Sequence, residues 1–189
     1  MNVYDFDGTI YDGDSSIDFY IYALKHKPSL ILYVPKQICG FILYILKQID
    51  KTRFKEYFFC FLQGIDSQKF IQAFWQENKK NIFSWYLNQQ KADDIIISAS
   101  PKFLLEPICK NLGINYIVAS EVNAETGKFT GENCRGQEKL QRLEKEYNIT
   151  HIDNFYSDSF SDMPLMKISD HAFIIKKGTI NEWDGLNDK

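Results

Sequence analysis

The chain of 189 residues predicts an α/β fold, a mostly parallel sheet with helices on both faces and an inserted all-helical cap. Two observations carry this expectation. From residue 91 onward, short apolar runs ending in polar or acidic residues alternate with helical periods, the pattern of strand–helix–strand units. The first such run, Val3–Tyr4, is separated from the next by residues 14–90, which read only as helices. A strand-to-strand crossover needs far fewer residues. Residues 14–90 are therefore expected to form a cap domain, inserted into a core domain made of 1–13 and 91–189.

Composition narrows the function classes. The hydrophobic share of 44% and the charged share of 25% are ordinary for a globular protein, with aromatics high at 15%. A net charge of −3 leaves no basic excess to displace counterions from a phosphate backbone, so no nucleic-acid partner is expected. Cys39, Cys60, Cys109 and Cys134 form no CxxC pair, which reads as free thiols in a reducing compartment and argues against zinc. With no secretory leader ahead of the first strand, the expected location is cytoplasmic, with peripheral contact at the inner membrane face through the cap.

Val3-Tyr4-Asp5-Phe6-Asp7-Gly8-Thr9 is an apolar run ending in two acids and a turn. In an extended chain Asp5 and Asp7 point to the same side. Carboxylates that close need a cation or a shared proton between them, and a hard ion such as Mg²⁺ suits oxygen ligands. Gly8 permits a tight turn whose N–H groups, with that of Thr9, can face an anion.

Asp14, Ser15 or Ser16 can cap a helix over 17–27. Helical patterns continue over 29–48, 51–63, 67–79 and 80–90, with Pro28 and Pro35 marking a break or kink. Between Asp18 and Asp50 there is no acid, while Lys25, Lys27, Lys36 and Lys47 flank two apolar runs. Each run is shorter than the ~18–20 residues of a spanning helix. The stretch reads either as a basic, aromatic interfacial surface or as the core of a helical cap flanked by solvated lysines.

Ile95–Ile97 is apolar throughout, as in a strand covered on both faces, and delivers Ser98, Ala99 and Ser100 to a strand-to-helix turn at Pro101. Such a turn can receive a phosphate, though both serines also read as plain caps. Tyr116–Ser120 is the next strand, and 121–131 reads as a hairpin. Lys139 falls in the first turn of a helix opening at Gly136, where a lysine is more often solvated. Phe155-Tyr156 precedes Asp158 and Asp162, and His171–Ile175 is the last expected strand. Asn187–Lys189 is expected to fray.

Asp5-Phe6-Asp7-Gly8-Thr9, Ser98-Ala99-Ser100, Lys139 and Asp158-Ser159-Phe160-Ser161-Asp162 follow one another in the order of the four motifs of the haloacid dehalogenase superfamily. The chain resembles the hydrolases of its subfamily IB, which are phosphoserine-phosphatase-like and carry a C1-type helical cap on a Rossmann-like core. The resemblance implies a Mg²⁺-dependent phosphatase with Asp5 as nucleophile, Asp7 as general acid and base, and Lys139 as a catalytic cation. It places Mg²⁺ on Asp5, the carbonyl of Asp7, Asp158 and Asp162, and substrate contacts on Gly8, Thr9, Asp14, Ser98, Ala99 and Ser100. Asp7 argues against a dehalogenase, since the dehalogenases lack an acid at that place. Phosphoserine phosphatases carry Glu where this chain has Asp14, and Gly-Gly where it has Ala99-Ser100. Cys134–Lys139 and Tyr156–Ser159 look more similar to the phosphatidylglycerophosphatase C branch. That similarity implies a lipid phosphomonoester, with a small soluble one as the alternative. A phosphotransferase or a non-catalytic binding protein remains a reading of another class.

Overall fold

A computed structural model describes residues 1–183, so the expected frayed end at Asn187–Lys189 lies outside the described residues. The fold is built on a six-stranded sheet of order β3-β2-β1-β4-β5-β6, formed by β1 (Asn2–Tyr4), β2 (Ile95–Pro101), β3 (Tyr116–Ser120), β4 (Ile152–Ser157), β5 (Ser169–Lys176) and β6 (Thr179–Glu182). The first five are parallel, and β6 pairs antiparallel with β5. Val3 is in register with Ile95 on one side and Phe155 on the other, so β1 lies at the centre.

Alternation along the strands divides the core into two layers. Val3, Ile95, Ile97 and Phe155 pack with Leu143 of α7 (Gln137–Tyr147) and with Leu165 and Met166 of α8 (Met163–Met166). On the other face Tyr4, Ile96 and Tyr156 meet Leu104 and Leu105 of α6 (Lys102–Asn111) and Tyr86 of α5 (Ser84–Gln89). Tyr4 stacks on Tyr156 at 4.6 Å, and Tyr156 on Phe173 at 4.7 Å. The last of the inserted helices thus covers the sheet.

Before α5 come α1 (Ser15–His26), α2 (Val34–Ile45), α3 (Lys51–Phe58) and α4 (Ser67–Asn78). Asp14, Asp50 and Asp66 accept backbone N–H bonds at the starts of α1, α3 and α4, which is why those helices begin where they do. Phe19, Phe61, Phe74 and Trp75 form an aromatic core between them, and the Trp75 indole N–H donates to the Leu104 carbonyl at 2.7 Å, tying α4 to α6.

Several expectations are corrected. The single helix over 29–48 is a 3-10 stretch, Pro28–Tyr33, running directly into α2, with each proline in a first turn where its missing N–H costs nothing. Joined, Pro28–Ile45 is 18 helical residues of mean hydropathy 1.4 with 11% buried, so by length and composition it is long and apolar enough to cross a membrane. Counting its two apolar runs separately concealed this. The 80–90 segment divides into a 3-10 turn, Lys79–Asn81, and α5. The 121–131 segment is a hairpin as expected: Val122 bridges antiparallel to Phe129, the Asn123 N–H donates to the Lys128 carbonyl at 2.8 Å, and the Asn123 side chain holds the turn by accepting from the N–H groups of Glu125 and Thr126. Strand β6 was not expected.

Candidate active site

The Asp5 N–H donates to the Tyr156 carbonyl at 2.9 Å, which extends the β1–β4 pairing one residue beyond β1 and fixes Asp5 at the sheet edge. The chain then turns sharply, with the Phe6 carbonyl accepting from the N–H groups of Ile10 and Tyr11, and Gly8 takes φ +70°. A β-carbon on Gly8 would collide with the Asp158 carboxylate, so glycine is required both for the turn and for the approach of Asp158. From the other side, the Asp158 N–H donates to the Thr9 hydroxyl at 2.9 Å, clamping the loop after β4 to the loop after β1.

Lys139 is only 2% exposed, although the sequence reading favours a solvated side chain. Its Nζ lies 2.9 Å from Asp5 Oδ1 and 2.7 Å from Asp162 Oδ2. Asp162 Oδ2 also accepts from the Ser157 hydroxyl at 2.8 Å, while Asp162 Oδ1 is buried with no hydrogen-bond partner. Asp7 is held by the Ser15 N–H on Oδ1 at 2.7 Å and the Ser100 hydroxyl on Oδ2 at 2.5 Å. Ser98, 1% exposed, accepts from the Ser100 N–H at 3.1 Å. Asp14 accepts from the N–H groups of Ser16 and Ile17, capping α1.

These groups surround a cavity of about 460 Å³ at the C-terminal edge of the sheet. Asp5, Asp7, Asp14, Ser98, Ala99, Ser100, Lys139, Asp158 and Asp162 all line it. Gly8 and Thr9 do not, and act beneath it through Asp158. The sequence reading missed the cap side of the cavity, above all Lys55, whose Nζ reaches the Ala99 carbonyl at 2.7 Å and Asn133 Oδ1 at 2.9 Å. A lone lysine in an amphipathic helix carries no signal. Ser15 was noted as a cap but not as a donor to Asp7, which sequence spacing could not have shown.

Burial dominates the electrostatics. It pushes the Asp5 carboxyl up to about 7 against the opposing pull of Lys139, and Asp7 up to about 6 with help from Asp14. Asp158 is likewise raised by burial, with Asp162 adding to the effect. Burial also works against the charge on Lys139, but Asp5 and Asp162 overcome it and hold the ammonium above the usual lysine range. Carboxylates this crowded call for a further cation. Mg²⁺ fits the donor set, because only oxygens are offered and the orphaned Asp162 Oδ1 is a buried acceptor awaiting a partner.

A family model described as haloacid dehalogenase-like hydrolase matches residues 3–167. A probable phosphatase of Mycobacterium tuberculosis is 29% identical over 110 residues, covering 50% of this chain and 38% of its own length. A histidinol-phosphatase of Neisseria meningitidis is 26% identical over 125 residues, 54% of this chain and 55% of that protein. The chain thus spans 38% of the length of the mycobacterial relative. Among solved structures, a protein of unknown function from Bordetella pertussis superposes with TM-score 0.71 at 15% identity, over 88% of this chain and 85% of that one. A probable phosphoserine phosphatase of Vibrio cholerae gives 0.64 at 13% identity, over 90% and 55%. These likenesses bear on the fold alone, an α/β fold with a mostly parallel sheet. With the match over residues 3–167 and all four motifs around one cavity, the chain belongs to the haloacid dehalogenase-like hydrolases.

Proposed function

We propose that the chain is a Mg²⁺-dependent phosphatase that hydrolyses a phosphomonoester through an aspartyl-phosphate on Asp5, and that its substrate is a lipid phosphate such as phosphatidylglycerophosphate. The observation that carries the chemistry is the buried Asp5–Lys139–Asp162 triad beside a doubly held Asp7. Lys139 occupies Asp5 Oδ1, which leaves the other carboxylate oxygen to attack phosphorus as the ester P–O bond breaks. Asp7, with a carboxyl pushed up to about 6, gives its proton to the departing alkoxide. The Asp7 carboxylate then takes a proton from water, whose oxygen attacks phosphorus and returns Asp5 with release of inorganic phosphate. Ser98 and Lys139 would face charge on the phosphoryl oxygens. Asp5, the Asp7 carbonyl, Asp158 and Asp162 would hold Mg²⁺, which supplies charge neutralisation at the phosphoryl group. The names of the mycobacterial and meningococcal relatives support phosphatase chemistry.

The lipid reading rests on the outer face of the cap. Ile31, Leu32, Ile38, Phe41, Ile42 and Ile45 are each 50–79% exposed on the Pro28–Ile45 stretch, and the only charges from 19 to 49 are lysines. Such a face suits an anionic bilayer surface, met from the cytoplasmic side. It is also continuous with the cavity, because Phe54, in the cavity wall, stacks on Tyr44 at 5.0 Å and meets Phe41 at 6.2 Å.

The test is phosphate release from phosphatidylglycerophosphate in mixed micelles, phosphoserine, histidinol phosphate and glycerol 3-phosphate, with Mg²⁺ and with EDTA. Turnover is expected to need Mg²⁺ and to fall by more than about 10³-fold in Asp5→Asn. Turnover that survives that substitution rejects the mechanism. A soluble ester turned over better than the lipid rejects the lipid assignment, and phosphate passed to an added alcohol would make the protein a phosphotransferase.

A further inference from the structure

Lys55 is a half-buried ammonium whose bonded partners carry no charge. Its two bonded acceptors, the Ala99 carbonyl and Asn133 Oδ1, are neutral, and both are already used by the Ser120 hydroxyl at 3.0 and 3.2 Å. Among the described residues no carboxylate lies within ion-pair distance of it, in contrast to Lys139, which has two. Burial pushes its ammonium below the usual lysine range against the longer-range pull of Asp14 and Asp7. Holding a desolvated charge on neutral acceptors is costly, and an ammonium has three donors of which two are accounted for. Lys51 and Arg135 line the same cavity and also form no ion pair among the described residues. The cavity also holds five carboxylates, and Lys139 pairs with Asp5 and Asp162. Lys51, Lys55 and Arg135 thus bring to the cavity three cations that form no ion pair among the described residues, and the apolar side chains of Ile17, Phe54 and Phe58 share its lining.

We propose that Lys55, with Lys51 and Arg135, forms a subsite for a second anionic group on the substrate, beside the phosphomonoester. This rests on the phosphatase reading above and narrows it to esters that carry two anions, a phosphodiester or a carboxylate in addition to the reacting phosphate. The alternative is a latch, in which Lys55 merely pins the cap to the Ala99 loop. A latch would change turnover of every substrate by the same factor, whereas a subsite changes the ratio between substrates.

The experiment compares kcat/KM for glycerol 3-phosphate, for glycerophosphoglycerophosphate, which adds a phosphodiester, and for 3-phosphoglycerate, which adds a carboxylate. The enzyme forms are wild type, Lys55→Met, Lys55→Arg and the rim pair Lys51→Met/Arg135→Gln. At least one two-anion ester is expected to exceed glycerol 3-phosphate by about tenfold or more in wild type. The better of the two identifies the anion. Lys55→Met should reduce that ratio about tenfold, mainly through KM, and Lys55→Arg should restore most of it. The rim pair should reduce the ratio in the same direction, and answers the question if Lys55→Met does not fold. A wild-type ratio near one, or a ratio equal in wild type and the variants, overturns the subsite. Calorimetric binding of glycerophosphoglycerol and of glycerate, neither of which carries the monoester, separates this from the phosphatase reading. Binding weakened about tenfold in Lys55→Met or in the rim pair, without turnover of any ester, would keep the subsite and remove the phosphatase. Turnover with binding of both probes independent of the three cations would do the reverse.

Discussion

Lys139 illustrates how one buried residue decides both stability and chemistry. Its ammonium is the only protein cation within ion-pair distance of Asp5 and Asp162 among the described residues. Replacing it with Met leaves two desolvated carboxylates facing each other, and breaking a buried ion pair from one side costs about 3–5 kcal/mol. Urea unfolding of Lys139→Met in EDTA at pH 8 is expected to show a loss of about 3 kcal/mol or more. A loss below about 1 kcal/mol would mean that water reaches the triad freely. The same crowding predicts what Mg²⁺ does to the intact protein. An ion that binds the native site alone stabilises by about 2.7 kcal/mol at a hundredfold excess over Kd. For a chain of this size that raises the melting temperature by roughly 5–10 °C. Asp158→Asn, which removes one of the proposed ligand charges at the cavity and leaves the Lys139 pairs in place, should abolish most of that rise in a thermal melt.

The elements that were legible in the sequence are those whose local signal and tertiary role agree. Ile95–Ile97 is apolar throughout because both faces of β2 are covered, and α1, α3 and α4 begin at Asp caps that the sequence displays. The four acids and Lys139 were legible as motifs, although burial of Lys139 followed only from the fold. Strand β6 was not legible, because all four of its residues are exposed and carry no apolar period. Its signal is the turn: Lys177 and Gly178 take φ +50° and +75°, which suits a two-residue hairpin loop between Lys176 and Thr179. Lys55 was illegible for a different reason, since its partners Ala99 and Asn133 lie 44 and 78 residues away. At α2 the local and tertiary preferences conflict. Gly40 is mid-helix, where Ala is favoured by about 1 kcal/mol, yet a β-carbon there would overlap the Tyr57 side chain of α3. The overlap falls near the backbone end of Tyr57, which cannot swing away without moving α3. Gly40→Ala is therefore expected to destabilise by about 1–3 kcal/mol in chemical denaturation, against its helix propensity. A stabilised variant would show that α2 rides loosely on α3.

Across the whole molecule, chemistry and location are joined through the cap. Its inner side closes the cavity with Phe54 and Lys55, and its outer side presents the Pro28–Ile45 face. That stretch has the length to cross a bilayer, but one side of it is fastened to the cap. Gln37 accepts from the Tyr20 hydroxyl and donates to the Phe58 carbonyl, both at 2.8 Å, and Gly40 lies against Tyr57. Crossing would break these contacts and strand polar groups in hydrocarbon, whereas lying in the interface keeps them. The expectation is peripheral binding to vesicles containing anionic lipid, weakened by salt because lysines contribute. Leu32→Glu/Ile45→Glu replaces two side chains that are 79% and 59% exposed and line no part of the cavity. Each exposed substitution should change folding stability by no more than about 0.5 kcal/mol. On a vesicle, the pair forfeits two buried aliphatic side chains and adds two charges of the wrong sign, so co-sedimentation should weaken by at least about 100-fold. Turnover of a water-soluble ester should stay at the wild-type level while turnover of the lipid in vesicles falls with binding. Equal loss on both substrates would show that the face supports the cap instead of docking it, and resistance of the wild type to alkaline carbonate extraction would show that the helix spans the membrane.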